Sequence, residues 1–165
     1  MAIVQDSLLG AYRMTKGVKK ISKGQFFNIA MLLPQSPFSK YKTSNSDLMT
    51  SEEILVRIQH IRRIMKEKGK SVQCYTGHGL ISLFLPDDFN YEKKNDANPN
   101  EPTVKIWRGV MYEGTIDKSI VGSTQNAIHQ VLNKEYGPDA AAHFIDCIQF
   151  ATTQYLLIDA FSIGL

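Results

Sequence analysis

Between Pro138 and Asp159 the sequence leaves a helix almost no polar side, and this constrains the fold more than any other feature. Pro138 follows Gly137 and suits the first turn of a helix, where its missing N–H is not needed. Ala141, Phe144, Ile148, Ala151 and Tyr155 form one apolar stripe. Ile145, Cys147, Phe150, Leu156, Leu157 and Ile158 fill much of the remaining surface. A helix apolar on nearly all sides has to be buried on most of them. A chain of 165 residues has room for one ordinary core, which rarely covers such a helix alone. The sequence also stops on the apolar run Phe161–Leu165. Both features lead to the expectation of a piece of something larger.

The other segments predict helices mixed with a little strand. Residues 2–9, opening on Ile3 and Val4, read as a short strand or extended segment. Ser22 is placed to cap a helix over 23–33, which Pro34 and Pro37 stop. Residues 35–50 read as a surface loop. Thr50 or Ser51 starts a helix expected over 51–68, with Glu52 and Glu53 at its positive end, Lys66 and Lys68 at its negative end, and Gly69 beyond. Ile54, Ile58, Ile61 and Met65 form its apolar stripe. The opposite face carries Arg57, Arg62, Arg63 and Lys66, read as a solvated face that could also meet nucleic acid or an acidic partner. The run Leu80–Leu85 fits either helix or buried strand. Residues 87–102 read as a loop, 103–107 and 110–114 as a β-hairpin turning at Arg108–Gly109, and 123–134 as a helix. The fold class is α+β, with a small mixed sheet or hairpin and several packed helices.

Composition narrows the chemistry. Apolar residues make up 43% and charged residues 21%, values of a globular chain. The net charge is only +3, but no acid lies between Asp6 and Asp47, where Arg13, Lys16, Lys19, Lys20, Lys23, Lys40 and Lys42 fall. Such a stretch makes a local positive field that could face phosphates, or a solvated loop face. Cys74 and Cys147 are far apart with no CxxC spacing, so neither a zinc site nor a disulfide framework is readable. No signal peptide and no membrane span is expected. Phosphate-binding glycine loops and the GxSxG elbow are missing. The four histidines are scattered, and Asp87–Asp88 reads as turn chemistry.

Five segments, in order, carry a resemblance. They are AIVQDSLLG at 2–10, YTGHGLISLFLP at 75–86, GVMYEGTIDKSIVGS at 109–123, the stretch 126–138 with Ile128–His129 and Tyr136-Gly137-Pro138, and FSIGL at 161–165. Together they resemble the largest subunit of multisubunit DNA-dependent RNA polymerases, across essentially the whole chain. Residues 35–70 match least. The resemblance implies the pore domain over 1–160, with 161–165 opening the funnel segment. That domain lines the channel for nucleoside triphosphates and for backtracked RNA. Gln5, Asp6, Lys118, Ser119, Gly122 and Ser123 would line it, with Ser123 capping the next helix and Lys118 either reaching phosphates or pairing with Asp117.

The family's Asn-Ala-Asp-Phe-Asp-Gly-Asp loop, which holds the catalytic Mg²⁺, is absent here. A loop with three alternating aspartates is therefore expected upstream in the same gene or in a neighbouring one. The resemblance implies a nucleotidyltransferase only as part of the complete polymerase: no catalytic residue, no metal ligand and no cofactor in this segment, and no polymerisation by the chain alone. The implied partners are other polymerase segments and subunits, template DNA, RNA and nucleoside triphosphates. The implied location is intracellular, in the nucleus or, for a viral protein, in a cytoplasmic factory or virion. His78–Gly79 departs from the family's Lys–Gln, and Ser119 stands where some members have a second Lys. Two other readings stand beside it: a stand-alone regulator or decoy with the same fold, and a small enzyme using Asp87, Asp88 and a histidine.

Overall fold

In a computed structural model of the chain, the apolar segment after Gly137 folds as one helix, α7 (Pro138–Gly164). The structure describes residues 5–42, 47–70, 74–96 and 98–164, with the side chains of Gln5 and of 161–164 outside the described set. The boundary expected at 160/161 falls within α7, and Leu165 lies outside the described residues. Phe144, Cys147, Ile148 and Ala151 on α7 are fully buried. Two helices cover them: α6 (Ile128–Tyr136) and α1 (Gln5–Thr15).

Of the strand or extended segment expected over residues 2–9, residues 5–9 are instead the start of α1. Its buried positions are Ser7, Gly10, Ala11, Met14 and Thr15, the spacing of one helical face. Ile3 and Val4, on which the strand reading rested, lie outside the described residues. At Gly10 the α1 backbone comes so close to α7 that an added Cβ would stand 2.8 Å from the Cβ of Thr152. The middle helices follow the expected caps. Ser22 accepts from the Gln25 N–H (3.2 Å) at the start of α2 (Lys23–Ala30). Thr50 accepts from the Glu53 N–H (3.1 Å) at the start of α3 (Ser51–Glu67). The run around Leu80 resolves as a short buried helix, α4 (Gly77–Ser82).

The hairpin forms as expected from β2 (Val104–Trp107) and β3 (Val110–Glu113). Arg108 and Gly109 turn it with φ of +48° and +74°, the primed turn that matches strand twist. A third strand, β1 (Tyr91–Lys93), lies inside the segment expected to be loop and gives an antiparallel sheet in the order β1-β2-β3. Tyr91 pairs with Ile106 and Lys93 with Val104, so Tyr91 and Lys93 share one face of the sheet. The alternate residues Glu92, Lys105 and Trp107 fall on the other. The first face packs into the core, the second lies beside α3.

Candidate functional site

The connection from β3 to α6 holds most of the residues that the family resemblance singled out. It leaves the sheet at Gly114 and is tied at once to the end of α1. The Ile116 N–H donates to Thr15 Oγ1 (2.8 Å) and the Thr115 hydroxyl to Thr15 O (3.4 Å). Asp117 then caps a single-turn helix, α5 (Lys118–Val121), accepting from the Ser119 N–H (2.8 Å) and hydroxyl (2.6 Å) on one carboxylate oxygen. Ile120 and Val121 anchor that turn in the core, and Gly122 closes it with its N–H on Lys118 O (2.8 Å). Ser123, Thr124, Gln125 and Asn126 are exposed.

The loop does not continue into a helix at Ser123, as the sequence suggested. Its carbonyls are held by the sheet instead. Lys93 Nζ donates to Ser119 O (2.6 Å) and Gln125 O (2.7 Å), and the Tyr91 hydroxyl to Asn126 O (2.5 Å). Asn126 sits at φ +62°, and α6 starts only at Ile128 with Ala127 as its N-cap. Ser123 therefore caps nothing, and the positive end of α6 lies past the loop. Asp117 is committed to Ser119, and no carboxylate pairs with the exposed Lys118 among the described residues. The six residues named from sequence are only partly brought together. Lys118, Ser119, Gly122 and Ser123 share one loop. Asp6 is exposed near the start of α1, whereas the other end of α1 meets that loop. At 1.5 Å rise per residue the two points on α1 are about 13 Å apart. The Gln5 side chain lies outside the described set.

Sequence reasoning missed the residues that shape this loop, Tyr91, Lys93 and Thr15. The alternation of Tyr91 and Lys93 around Glu92 was the available signal, hidden in a stretch rich in Asn, Asp and Lys. His78, in the place of the family's Lys, is buried and hydrogen bonded through Nε2 to Gly114 O (2.7 Å). Burial holds its pKa below the usual imidazole value, so it is a neutral core residue and no phosphate contact. At Gly79 a Cβ would stand 1.8 Å from Cys74 O, so the family's Gln has no room there.

A cleft of about 520 Å³ contains none of these residues. It lies between the segment after α2, α3 and the α4–β1 connection. Its walls combine apolar groups such as Met49 and Phe84 with Glu53, Arg57 and His143. These polar groups have partners within the fold. Glu53 accepts from Gln35 Nε2 (3.1 Å) and the Ser39 hydroxyl (2.8 Å). Arg57, expected on a solvated face, is buried. It pairs with Asp87 and donates to Ser82 O (2.5 Å), Leu85 O (3.2 Å) and Gly109 O (3.4 Å). Asp88 accepts from the Tyr136 hydroxyl (2.7 Å). Asp87 and Asp88 thus serve different elements. No group of three or more His, Cys, Asp or Glu side chains fit to hold a metal occurs among the described residues. His143 Nε2 stands 3.3 Å from Cys147 Sγ, and burial pushes the thiol pKa up and the imidazole pKa down, which disfavours a thiolate–imidazolium pair. Among the described residues no helix is long and apolar enough to cross a membrane.

The family model that matches is described as RNA polymerase Rpb1, domain 3, and it matches residues 1–165. A probable DNA-directed RNA polymerase II subunit RPB1 homolog of Invertebrate iridescent virus 6 is 37% identical over 166 residues, covering 99% of this chain and 15% of its own length. DNA-directed RNA polymerase II subunit RPB1-B of Trypanosoma brucei brucei is 33% identical over 167 residues, covering 99% of this chain and 8% of its own length. A more distant relative, DNA-directed RNA polymerase subunit Rpo1N of Sulfolobus acidocaldarius, is 29% identical over 104 residues and covers 55% of this chain and 12% of its own length. The chain therefore spans less than a fifth of each of these relatives.

Proposed function

This chain belongs to the RNA polymerase Rpb1 domain 3 family, and on that premise we propose that it is the pore segment of a DNA-directed RNA polymerase largest subunit. In this reading it lines the channel through which nucleoside triphosphates reach the active site and into which backtracked RNA passes. The observation that supports it most is the family match from the first residue to the last. The segment contributes wall and charge rather than catalysis. Mg²⁺, held by a loop elsewhere in the complete polymerase, supplies the phosphoryl-transfer chemistry there. Template DNA, transcript and the remaining subunits are partners of the assembled enzyme, which works in the nucleus or, for a viral enzyme, in a cytoplasmic factory or virion.

Within the segment, the loop from Asp117 to Asn126 is the element we assign to the channel. The sheet fixes its backbone from behind through Lys93 and Tyr91, which leaves Lys118 and Ser123 exposed in front. A lysine there is a compact, strongly hydrated point charge suited to a passing phosphate. Ser119 stands behind it as a positioning residue, because its hydroxyl is committed to Asp117. In the complete polymerase, Lys118→Ala leaves assembly intact. It raises the nucleotide KM or destabilises backtracked RNA by less than about tenfold, as expected for one partly solvated charge contact of about 1 kcal/mol. Assembled mutant enzyme with unchanged nucleotide dependence and unchanged backtracking removes Lys118 from the channel.

A further inference from the structure

The C-terminal half of α3 turns Arg62, Arg63 and Lys66 to solvent, and Lys68 follows at its end. The β2–β3 hairpin lies against this helix and adds exposed Trp107 and Arg108. Three carboxylates share the surface. Glu113 is held between Lys70 (3.9 Å) and Lys105 (3.5 Å), and Glu67 and Glu92 are exposed. Cations still dominate the face.

Three features separate this patch from an ordinary solvated helix side. First, the cations are pre-positioned on aromatic rings. Lys68 Nζ stands 5.0 Å from the centroid of Trp107 and 5.3 Å from that of Tyr112, and the Arg108 guanidinium 5.7 Å from Trp107. A cation held on a ring keeps its outward N–H groups free for an acceptor. Second, Arg108 occupies a left-handed backbone position, φ +48°, where Asn, Asp or Gly is preferred. That conformation is held from two sides, by Asn90 Oδ1 accepting its N–H (2.8 Å) and by His60 Nε2 bonded to its carbonyl (2.7 Å). Backbone strain held this firmly marks a position worth reading for function. Third, His60 Nδ1 accepts from Arg63 (2.9 Å), so the chain Arg63–His60–Arg108 ties the helix face to the hairpin tip.

We propose that this face binds single-stranded nucleic acid, with Arg63, Lys66, Lys68 and Arg108 on successive phosphates and Trp107 against an unstacked base. Positive charge alone would equally suit an acidic protein segment. The exposed ring flanked by cations favours nucleic acid, because bases stack on such rings and backbone phosphates meet the flanking charges. A duplex keeps its bases stacked and has no use for the ring. The assignment does not rest on the channel reading. Trp107 is on the opposite face of the sheet from Lys93 and Tyr91, which hold the Lys118 loop.

Trp107 is the only tryptophan in the chain, so its fluorescence reports this face alone. The 165-residue chain is titrated with a labelled 20-nucleotide oligo-U RNA, a DNA duplex of equal length and a poly-Glu peptide. The expected result is RNA binding that quenches Trp107. Its affinity falls roughly 20- to 50-fold between 50 and 200 mM salt, the slope of three or four phosphate contacts on a single strand. Arg108→Asn keeps the turn, since Asn favours that backbone, and weakens RNA binding several-fold. Lys68→Glu combined with it weakens binding at least tenfold with an unchanged circular dichroism spectrum. No binding at 50 mM salt, binding without a change at Trp107, or insensitivity to Arg108→Asn overturns the proposal. Duplex binding as tight as RNA refutes the single-strand assignment, and equal affinity for poly-Glu makes the face a dock for acidic protein instead.

Discussion

Replacing Arg57 with methionine tests whether α3 is locked to the hairpin by carbonyl groups or by an ion pair. Arg57 reaches Ser82 O at 2.5 Å, Leu85 O at 3.2 Å and Gly109 O at 3.4 Å, and its side chain is 10% exposed. Its carboxylate partner Asp87 is 77% exposed. The two halves of this cluster should therefore differ sharply in energy. Methionine fills the volume of the arginine stem but leaves three buried or half-buried carbonyls without this donor, at a cost of about 1 to 1.5 kcal/mol each. Relief from burying a guanidinium whose Nε has no partner offsets about 1 to 2 kcal/mol of that. The net expectation is a loss of about 1 to 3.5 kcal/mol, or about 2–14 °C in Tm for a chain of this size. Asp87→Asn removes only a solvated pair and should cost less than about 1 kcal/mol. Urea unfolding followed by far-ultraviolet circular dichroism measures both, and Trp107 fluorescence on the same samples tests for a two-state transition. Equal losses in the two variants, or an Arg57→Met chain within about 0.5 kcal/mol of the parent, would refute the carbonyl lock.

Two further expectations concern the loop and the core histidine. Lys93→Met should release Ser119 O and Gln125 O, costing about 1.5 to 3 kcal/mol as charge-assisted bonds are lost. Hydrogen exchange should then accelerate over residues 119–126 while α7 is unchanged, and uniform acceleration would contradict a local clamp. His78 has its pKa lowered in the fold by burial, so the unfolded chain takes up that proton first. Stability is then fully present above about pH 6.5 and declines as pH falls towards the folded value. The decline has a slope of up to about 1.4 kcal/mol per pH unit from this residue. Urea midpoints at pH 7.5 and 5.5 should converge in His78→Gln relative to the parent, and an unaltered difference assigns the acid sensitivity elsewhere.

The fold was legible where a local rule decided it. Caps at Ser22 and Thr50, the primed turn at Arg108–Gly109 and the apolar girdle of α7 all act within a few residues. What escaped depended on distant partners. Arg57 looks like one more cation on a basic face, and only the carbonyls of Ser82, Leu85 and Gly109 make it a buried residue. Helix α6 starts late because Lys93 and Tyr91, some thirty residues earlier, take carbonyls that a helix would otherwise use. The strand carrying those two side chains is three residues long, too short for its alternation to stand out in a polar stretch. The candidate site divides the same way. The resemblance singled out Lys118, Ser119, Gly122 and Ser123 but took Ser123 as a helix cap, and the residues that hold the loop in place had no motif to announce them.

The contact between α1 and α7 also sets a clock. Arg13 pairs with Asp159 across 146 positions at 3.1 Å, and Thr15 meets Ile116 across 101. On a ribosome adding about 5–20 residues per second, α1 waits roughly 7–30 s for the last of these partners to be made. A helix forms and melts in about a microsecond or less. During that interval α1 is a transient helix with Ala11, Met14 and its close-packing Gly10 face uncovered, in a chain whose neighbouring residues 16–23 are basic and carry no acid. Within this segment, α1 is made before α7 and is thus among the last helices to be secured. Nascent-chain crosslinking should find chaperones on α1 until the α7 sequence has emerged, and not after.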